Sequence, residues 1–296
     1  MKRGRQLNYY NNAGSSISNN NNNNNDNNNI GNDNTNKKQK IIENNGNVNR
    51  KDIELQVKDE QQYIQHRYGA FKNYYMFNPT EERTKFIDTE DVLNLIFQQH
   101  SGKKSNKLQC CDIGCNSGEL TLELYNIFSK VDSNKKIEMY GIDMDQDLIS
   151  MAKENDVNNI CKFKTLNIMK ENLDGKHHYD LITCFGLTMW IHINHGDKGL
   201  KDFLDKLTSK TNTLIIEPHQ WKSYRKASKR LRKCKKSGTF EELNNILYRG
   251  ENVFKYIDET IKNKGFKNVK FAGETKWKRK IFVYKREQRR KGKDAH

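Results

Sequence analysis

Cys111-Asp112-Ile113-Gly114-Cys115-Asn116-Ser117-Gly118 is the stretch whose reading decides the fold. It closes an apolar run that starts at Leu108 and leads into Glu119 to Phe128, where Leu120, Leu124, Ile127 and Phe128 recur at helical spacing. A glycine-bearing turn between strand and helix is where an open α/β sheet receives a nucleotide-type ligand. Gly114 and Gly118 let the backbone turn sharply and come close to it. A second apolar run, Lys136 to Asp143, ends in a carboxylate placed to accept both hydroxyls of a ribose. The loop is shorter than the GxGxxG of dinucleotide enzymes, and GxxxxGK[ST] is absent. The pattern therefore fits a methyltransferase using S-adenosylmethionine. For the loop alone, a tight βα turn without a ligand is the plain alternative, and Asp143 weighs against it.

Working outward, Gln146 to Glu154 reads as a short helix, Cys161 to Ile168 as a third strand and Tyr179 to Phe185 as a fourth. His195 to Lys210 carries Leu200, Phe203, Leu204 and Leu207 on one helical face, and Thr213 to Glu217 is a fifth strand stopped by Pro218. Val269 to Ala272 and Ile281 to Lys285 make a closing pair. Strands alternating with helices imply an α/β fold: a class I, Rossmann-like methyltransferase domain with a mostly parallel seven-stranded sheet and an antiparallel edge. Between the fifth strand and the closing pair, two further helices are expected, about Lys222 to Lys236 and Phe240 to Lys264. Insertions at the carboxyl edge of such a sheet carry substrate specificity.

The chain has 296 residues, and asparagine dominates positions 8 to 49. A tract this polar cannot bury enough apolar surface to offset its ordering entropy. The expected organisation is a disordered tail over 1–60, a catalytic domain over 61–286 and a basic tail over 287–296. The formal net charge is +16 and the pI about 9.4, with a mean hydropathy of −1.03. Such a balance suits a polyanionic partner. The six cysteines include no CxxC pair, which argues against zinc and fits buried thiols in a reducing compartment. No apolar stretch approaches the about 18 residues of a membrane span, and the N-terminus lacks a signal-type apolar region. A soluble, cytoplasmic protein is expected. Lys37-Lys38-Gln39-Lys40 would serve nuclear import or simply be solvated, so the nucleus stays open.

Several residues are candidates for the chemistry. Asn167, ending the third strand, offers a carbonyl acceptor to an adenine amino group. Phe185 either packs on the adenine face or belongs to the core. His192 and His195 lie in the segment after the fourth strand, which faces the reacting group in this fold. Their HxxH spacing is read as crossing a loop and not as a metal site. His192 contacts a substrate phosphate or is a satisfied structural histidine, and Asp197 caps the next helix or the turn before it. Trp221 to Lys236 is a basic cluster without an acid. On a helix it aligns Arg225, Lys229, Arg232 and Lys236, with Trp221 and Tyr224 able to stack on unpaired bases. A solvated basic helix is the bland alternative. Beside a methyl-transfer site, RNA is the better partner.

Met189 to Leu200, followed by Ile216-Glu217-Pro218-His219-Gln220-Trp221-Lys222-Ser223-Tyr224, resembles the bicoid-interacting-protein-three family of RNA 5′-phosphate methyltransferases. The resemblance runs from about Tyr68 to Lys285 and implies S-adenosylmethionine as methyl donor and a small RNA with a 5′-phosphate as substrate. One branch of the family acts on the 5′-triphosphate of a small nuclear RNA, the other on the 5′-monophosphate of tRNA or microRNA-precursor type RNAs. Met189, the basic helix and Arg249-Gly250 resemble the second branch. By the same resemblance Arg83, Asn116, Asp143, Asn167, Ile168 and Phe185 are cofactor positions. Tyr68 belongs to the segment entering the site, and Ala70 and Gln220 depart from the family pattern. His192, Tyr224 and Arg225 are the expected phosphate holders, with Trp221 and Arg232 alongside. No general base is expected, because a terminal phosphate is already anionic near neutral pH. A triphosphate-directed capping enzyme and a small-molecule methyltransferase are the alternatives.

Overall fold

A computed structural model describes residues 50–97, 107–131, 135–173, 178–234 and 238–287. The chain divides into two units, Met1–Asp52 and Ile53–His296. Of the first, only the opening residues of helix α1 (Arg50–Tyr68) are described. That helix starts inside the stretch expected to be tail. The asparagine-rich tract ends at Asn49, and the segment just beyond is rich in Glu, Gln, Lys and Arg, which favour helix. In the second unit, Tyr63 packs on a small core cluster, His66 Nδ1 lies 3.1 Å from Cys234 Sγ, and the Arg67 guanidinium sits 5.2 Å over the Phe240 ring. The asparagine tract, Lys37 to Lys40, Lys236 and residues 288–296 of the basic tail lie outside the described residues.

Short helices α2 (Tyr74–Phe77), α3 (Glu81–Ile87) and α4 (Glu90–Phe97) lead to the sheet. The alternation then runs β1 (Lys107–Ile113), α5 (Glu119–Val131), β2 (Lys136–Asp143), α6 (Gln146–Asn155), β3 (Cys161–Thr165) and β4 (Tyr179–Phe185). It continues with α7 (Thr188–Ser209), β5 (Thr211–Glu217), α8 (Trp221–Leu231), α9 (Asn252–Lys262), β6 (Phe266–Glu274) and β7 (Lys280–Arg286). The seven strands lie in the order β3-β2-β1-β4-β5-β7-β6, with β7 antiparallel to both neighbours and the other pairs parallel. This is the expected doubly wound sheet with an antiparallel edge. The order reverses between β1 and β4, which is where a crevice opens at the carboxyl ends of the strands.

Each sheet face carries its own core. One holds Leu120, Leu124 and Phe128 of α5 against Leu108, Cys110, Met139 and Phe163; the other holds Leu200, Phe203, Leu204 and Leu207 of α7 against Ile182, Leu214 and Ile216. Burying each such side chain contributes roughly 1.5–3 kcal/mol, so the amphipathic faces read from spacing are what fix these helices to the sheet.

Three local expectations need correction. The third strand ends at Thr165, because Asn167 turns the chain: its Oδ1 accepts the Met169 N–H at 3.0 Å. The helix after β4 starts at Thr188, so His192 and His195 lie on a helix and not across a loop; Gly196, at φ 66° and ψ −172°, breaks it just beyond them. The single helix expected from Phe240 to Lys264 is a 3-10 turn, Glu241–Asn244, followed by α9. Between them Gly250 takes φ 60°, Asp197 Oδ2 captures the Leu247 N–H at 2.8 Å, and Arg249 satisfies the Ile246 and Asn244 carbonyls.

Candidate active site

A cavity of about 220 Å³ opens at the carboxyl ends of β1, β2, β3 and β4. Gly114, Asn116, Asp143, Asn167, Ile168, Phe185 and Arg83 line it, as does Tyr68 from the segment before the sheet. Seven of the eight expected cofactor positions therefore meet in one place. The exception is Gly118, which does not line the cavity. A Cβ on it would fall 2.8 Å from Phe163 Cζ and 2.9 Å from Ala152 Cβ, so this glycine serves the close packing of the turn against α6 and β3.

The loop is built by hydrogen bonds that sequence alone does not reveal. Gly114 takes φ 82° and Asn116 φ 52°, both in the left-handed region. Asn116 tolerates this because its own Oδ1 accepts the Ser117 N–H at 2.8 Å, while its Nδ2 donates to the Phe71 carbonyl at 3.2 Å. Asp112 is buried between the Thr121 and Thr183 hydroxyls, each at 2.7 Å, and this holds β1 to β4 and to α5. Burial pushes the Cys115 thiol well above its usual value, so it is a packing group and not a nucleophile.

Asp143 accepts the Asn116 N–H on Oδ2 and the Asp145 N–H on Oδ1, each at 3.0 Å. One lone pair on each oxygen remains for a diol. Burial raises its carboxyl to about 6, against the lowering effect of those N–H donors. Asn167 uses its carbonyl oxygen on Met169, so the acceptor expected for adenine is shared with the turn. Phe185 belongs to the core and also faces the cavity, with the Arg83 guanidinium 5.8 Å from its ring centre.

Arg83 is fully buried. Its Nε and Nη2 grip the two carboxylate oxygens of Glu217 at 3.2 and 2.9 Å, and Nη2 also donates to the Tyr74 hydroxyl at 2.6 Å. Its Nη1 is buried with no hydrogen-bond partner among the described residues. Burial alone would lower the Arg83 pKa, and Glu217 overturns that; burial would raise Glu217, and Arg83 with Arg279 holds it below the usual range. An orphaned guanidinium nitrogen at a cavity wall is a fitted partner for a ligand carboxylate. An aminoacyl nucleoside such as S-adenosylmethionine, with its ribose diol, base and α-carboxylate, matches Asp143, the apolar lining and Arg83 in turn.

The expected substrate residues fare differently. His192 is fully buried, with Nδ1 3.0 Å from the Tyr224 hydroxyl and Nε2 2.8 Å from Asp197 Oδ1. Burial lowers its pKa, against the raising effect of Asp197. Both ring nitrogens are thus used within the protein. Tyr224 is also fully buried and stacks on Trp221 at 4.7 Å, and neither it nor His192 lines the cavity. Helical geometry explains this: Tyr224, Ala227 and Leu231 form the buried stripe of α8. Arg225 and Arg232 lie exposed on its other face, and Trp221 is half-buried. His195 lines the cavity, and no group of metal-ligating side chains occurs among the described residues. Sequence reading missed Tyr74, Trp190 and Leu187 in the lining and Trp277 and Arg279 around Glu217. Glu217 stood in a quoted motif without a role, and the two hairpin residues gave no signal.

A doubly wound sheet, a glycine turn, an acid at the end of β2 and an orphaned arginine together define an α/β protein built to hold a nucleoside with a carboxylate. The sequence profile for Bicoid-interacting protein 3 (Bin3) matches residues 179–286. A pre-miRNA 5′-monophosphate methyltransferase of Xenopus laevis is 32% identical over 236 residues, covering 74% of this chain and 91% of that protein. An RNA 5′-monophosphate methyltransferase of Bos taurus is 30% identical over 240 residues, covering 75% and 81%. The chain belongs to this family. Among solved structures, magnesium protoporphyrin IX methyltransferase from Synechocystis PCC 6803 with bound SAM is similar at 14% identity and a TM-score of 0.46, covering 82% of this chain and 100% of that one.

Proposed function

We propose that this chain transfers a methyl group from S-adenosylmethionine to the 5′-monophosphate of small RNAs of the tRNA or microRNA-precursor type. The observation that carries the reading is that Asp143 and Arg83, whose Nη1 is buried and unpartnered, line one cavity in a chain whose relatives carry that activity in their names. When bound, the cofactor supplies an electrophilic methyl group on a sulfonium. The protein holds the diol at Asp143 and the carboxylate at Arg83, and closes the apolar lining around the base.

No side chain need act as a base. A terminal phosphate has a second pKa of about 6, so its oxygens are anionic at neutral pH. The protein's share is alignment and exclusion of water, and effective molarity of this kind supplies roughly 7–11 kcal/mol. The exposed cations Arg225, Lys226, Lys229 and Arg232 on α8 suit the RNA backbone beyond the first nucleotide. We place the activity in the cytoplasm: the six cysteines are free and buried, which suits a reducing compartment.

The test is methyl transfer from labelled donor to one RNA prepared with a 5′-hydroxyl, monophosphate or triphosphate end. Label on the monophosphate RNA alone is expected. Preference for the triphosphate would move the chain to a capping activity, and label on the 5′-hydroxyl RNA would overturn phosphate methylation altogether.

A further inference from the structure

We infer that His195 reads the base of the methyl donor, its imidazole nitrogen accepting a hydrogen bond from the 6-amino group of adenine. The inference rests on the methyl-transfer reading and adds to it a residue that selects the donor. His195 stands at the end of one wall of the cavity, next to the turn that follows β3.

That turn marks the base end of the cavity. The Leu166 N–H donates to the Asp143 carbonyl at 2.8 Å, and residues 167–170 line the cavity directly beyond. A base carried on a ribose at Asp143 therefore has this turn as its neighbour. A second wall comes from α7. Leu187, just before the helix, Ile191 and His195 recur at every fourth residue, fall on one helical face and all line the cavity. The first two are apolar, and His195 ends the stripe, because Gly196 breaks the helix at φ 66°. The two walls touch. The point that a Cβ on Gly199 would take lies 2.2 Å from His195 Cβ and 3.8 Å from Met169 Cε. Further along α7, Lys206 Nζ donates to the Ile168 and Glu171 carbonyls at 2.6 and 2.8 Å. The turn is thus tied to the helix that carries His195.

Hydrogen-bond accounting at this end leaves an acceptor wanting. The 6-amino group of adenine is a donor, and Asn167 Oδ1 already takes the Met169 N–H at 3.0 Å. Lys170, also in the lining, carries donors only. The His195 ring makes no hydrogen bond among the described residues and lies exposed at the rim. His192, three residues earlier, spends both nitrogens on Tyr224 and Asp197 and lies off the lining stripe. Partial burial lowers the His195 pKa; the nearby Arg67 and Lys170 cations add to this, and Glu242 opposes it. The ring is therefore neutral near neutral pH, and a neutral imidazole keeps one acceptor nitrogen. A base lacking the amino group gives that nitrogen nothing to accept.

The experiment uses the full chain and two probes: S-adenosylhomocysteine, and its analogue with hydrogen in place of the 6-amino group. Calorimetric affinity for each, with the thermal midpoint, is measured for wild type, His195→Phe and His195→Gln. Wild type is expected to prefer S-adenosylhomocysteine roughly two- to tenfold, the range of one neutral hydrogen bond. His195→Phe keeps a ring and loses the acceptor. It should abolish the preference by weakening S-adenosylhomocysteine alone, at an unchanged midpoint, since the residue is exposed. His195→Gln restores a carbonyl acceptor and should restore part of the preference. A preference kept in full by His195→Phe, or an equal loss for both probes, would overturn the contact while leaving the methyl-transfer reading intact. A wild type that binds both probes equally would do the same. A wild type that binds neither would overturn the reading and the contact together.

Discussion

Replacing Gly118 by alanine separates a packing glycine from a ligand-binding one. The new Cβ would lie 2.8 Å from Phe163 Cζ and 2.9 Å from Ala152 Cβ, on a backbone at φ 79°. Holding an L residue in the left-handed region costs about 1–2 kcal/mol. Forcing a methyl group into a filled interior costs about 1–3 kcal/mol more. The total, about 2–5 kcal/mol, corresponds to a thermal midpoint lower by roughly 4–20 °C at about 2–4 °C per kcal/mol for a domain of this size. Gly114→Ala is the contrast: it shares the left-handed backbone cost, at φ 82°, but its Cβ would meet only Leu187 Cδ2, at a tight 3.2 Å, on the cavity wall. Thermal unfolding followed by near-ultraviolet circular dichroism, and calorimetric titration with S-adenosylhomocysteine well below the midpoint, give the two readouts. Gly118→Ala should lose the more stability and keep its affinity, and Gly114→Ala should lose affinity beyond the smaller stability loss that its φ of 82° imposes. A Gly118→Ala protein of unchanged midpoint whose affinity has fallen tenfold would refute the assignment and return Gly118 to the ligand cradle.

Three further perturbations follow from the same geometry. Burial raises the Asp143 carboxyl from 3.8 to about 6 in the folded protein, so its contribution to folding is present below pH 4 and is lost as the pH rises through about 6. Cofactor binding has the opposite sign, because the ionised form supplies the acceptors; S-adenosylhomocysteine affinity should weaken as the pH falls through about 6, and a flat profile would sink the diol assignment. Glu217→Gln leaves the buried Arg83 uncompensated, which costs about 3–5 kcal/mol; an unchanged denaturation midpoint would show the pair to be dispensable. His192→Phe strands the buried Tyr224 hydroxyl at a cost of about 1–3 kcal/mol. Its folded fraction should methylate RNA with little change in KM, and a tenfold rise in KM at constant stability would restore His192 to the phosphate.

The parts of the molecule legible in the sequence are those with a period or a punctuating residue. β2 and β4 have the bounds read from their apolar runs, and Asp143 stands where a strand-end acid was expected. Side-chain direction is what composition could not give. Tyr224 and His192 are residue types that suit a ligand as well as a structural hydrogen bond, and in the fold each hydrogen-bonds the other, with Tyr224 packed in a small apolar cluster with Leu231, Phe240 and Ile246. The long insertion misled for a related reason. Its apolar residues suit one continuous helix, whereas Asp197, distant in sequence, pulls the Leu247 amide out of line. Arg279 and Trp277 were invisible because their meaning is tertiary: they matter only where the closing hairpin lies beside Glu217.

The buried stripe of α8 divides the labour of that helix. Tyr224, Ala227 and Leu231 fasten it, while Arg225, Lys226, Lys229 and Arg232 make no contact with the core. Changes on the outer face therefore combine almost independently of folding. If the outer face meets RNA as proposed, lineages can rewrite it charge by charge, trading one RNA for another, while the machinery beneath stays as it is. A basic helix fastened by one buried stripe is then a substitutable label on a fixed engine, and substrate range can drift faster here than the chemistry.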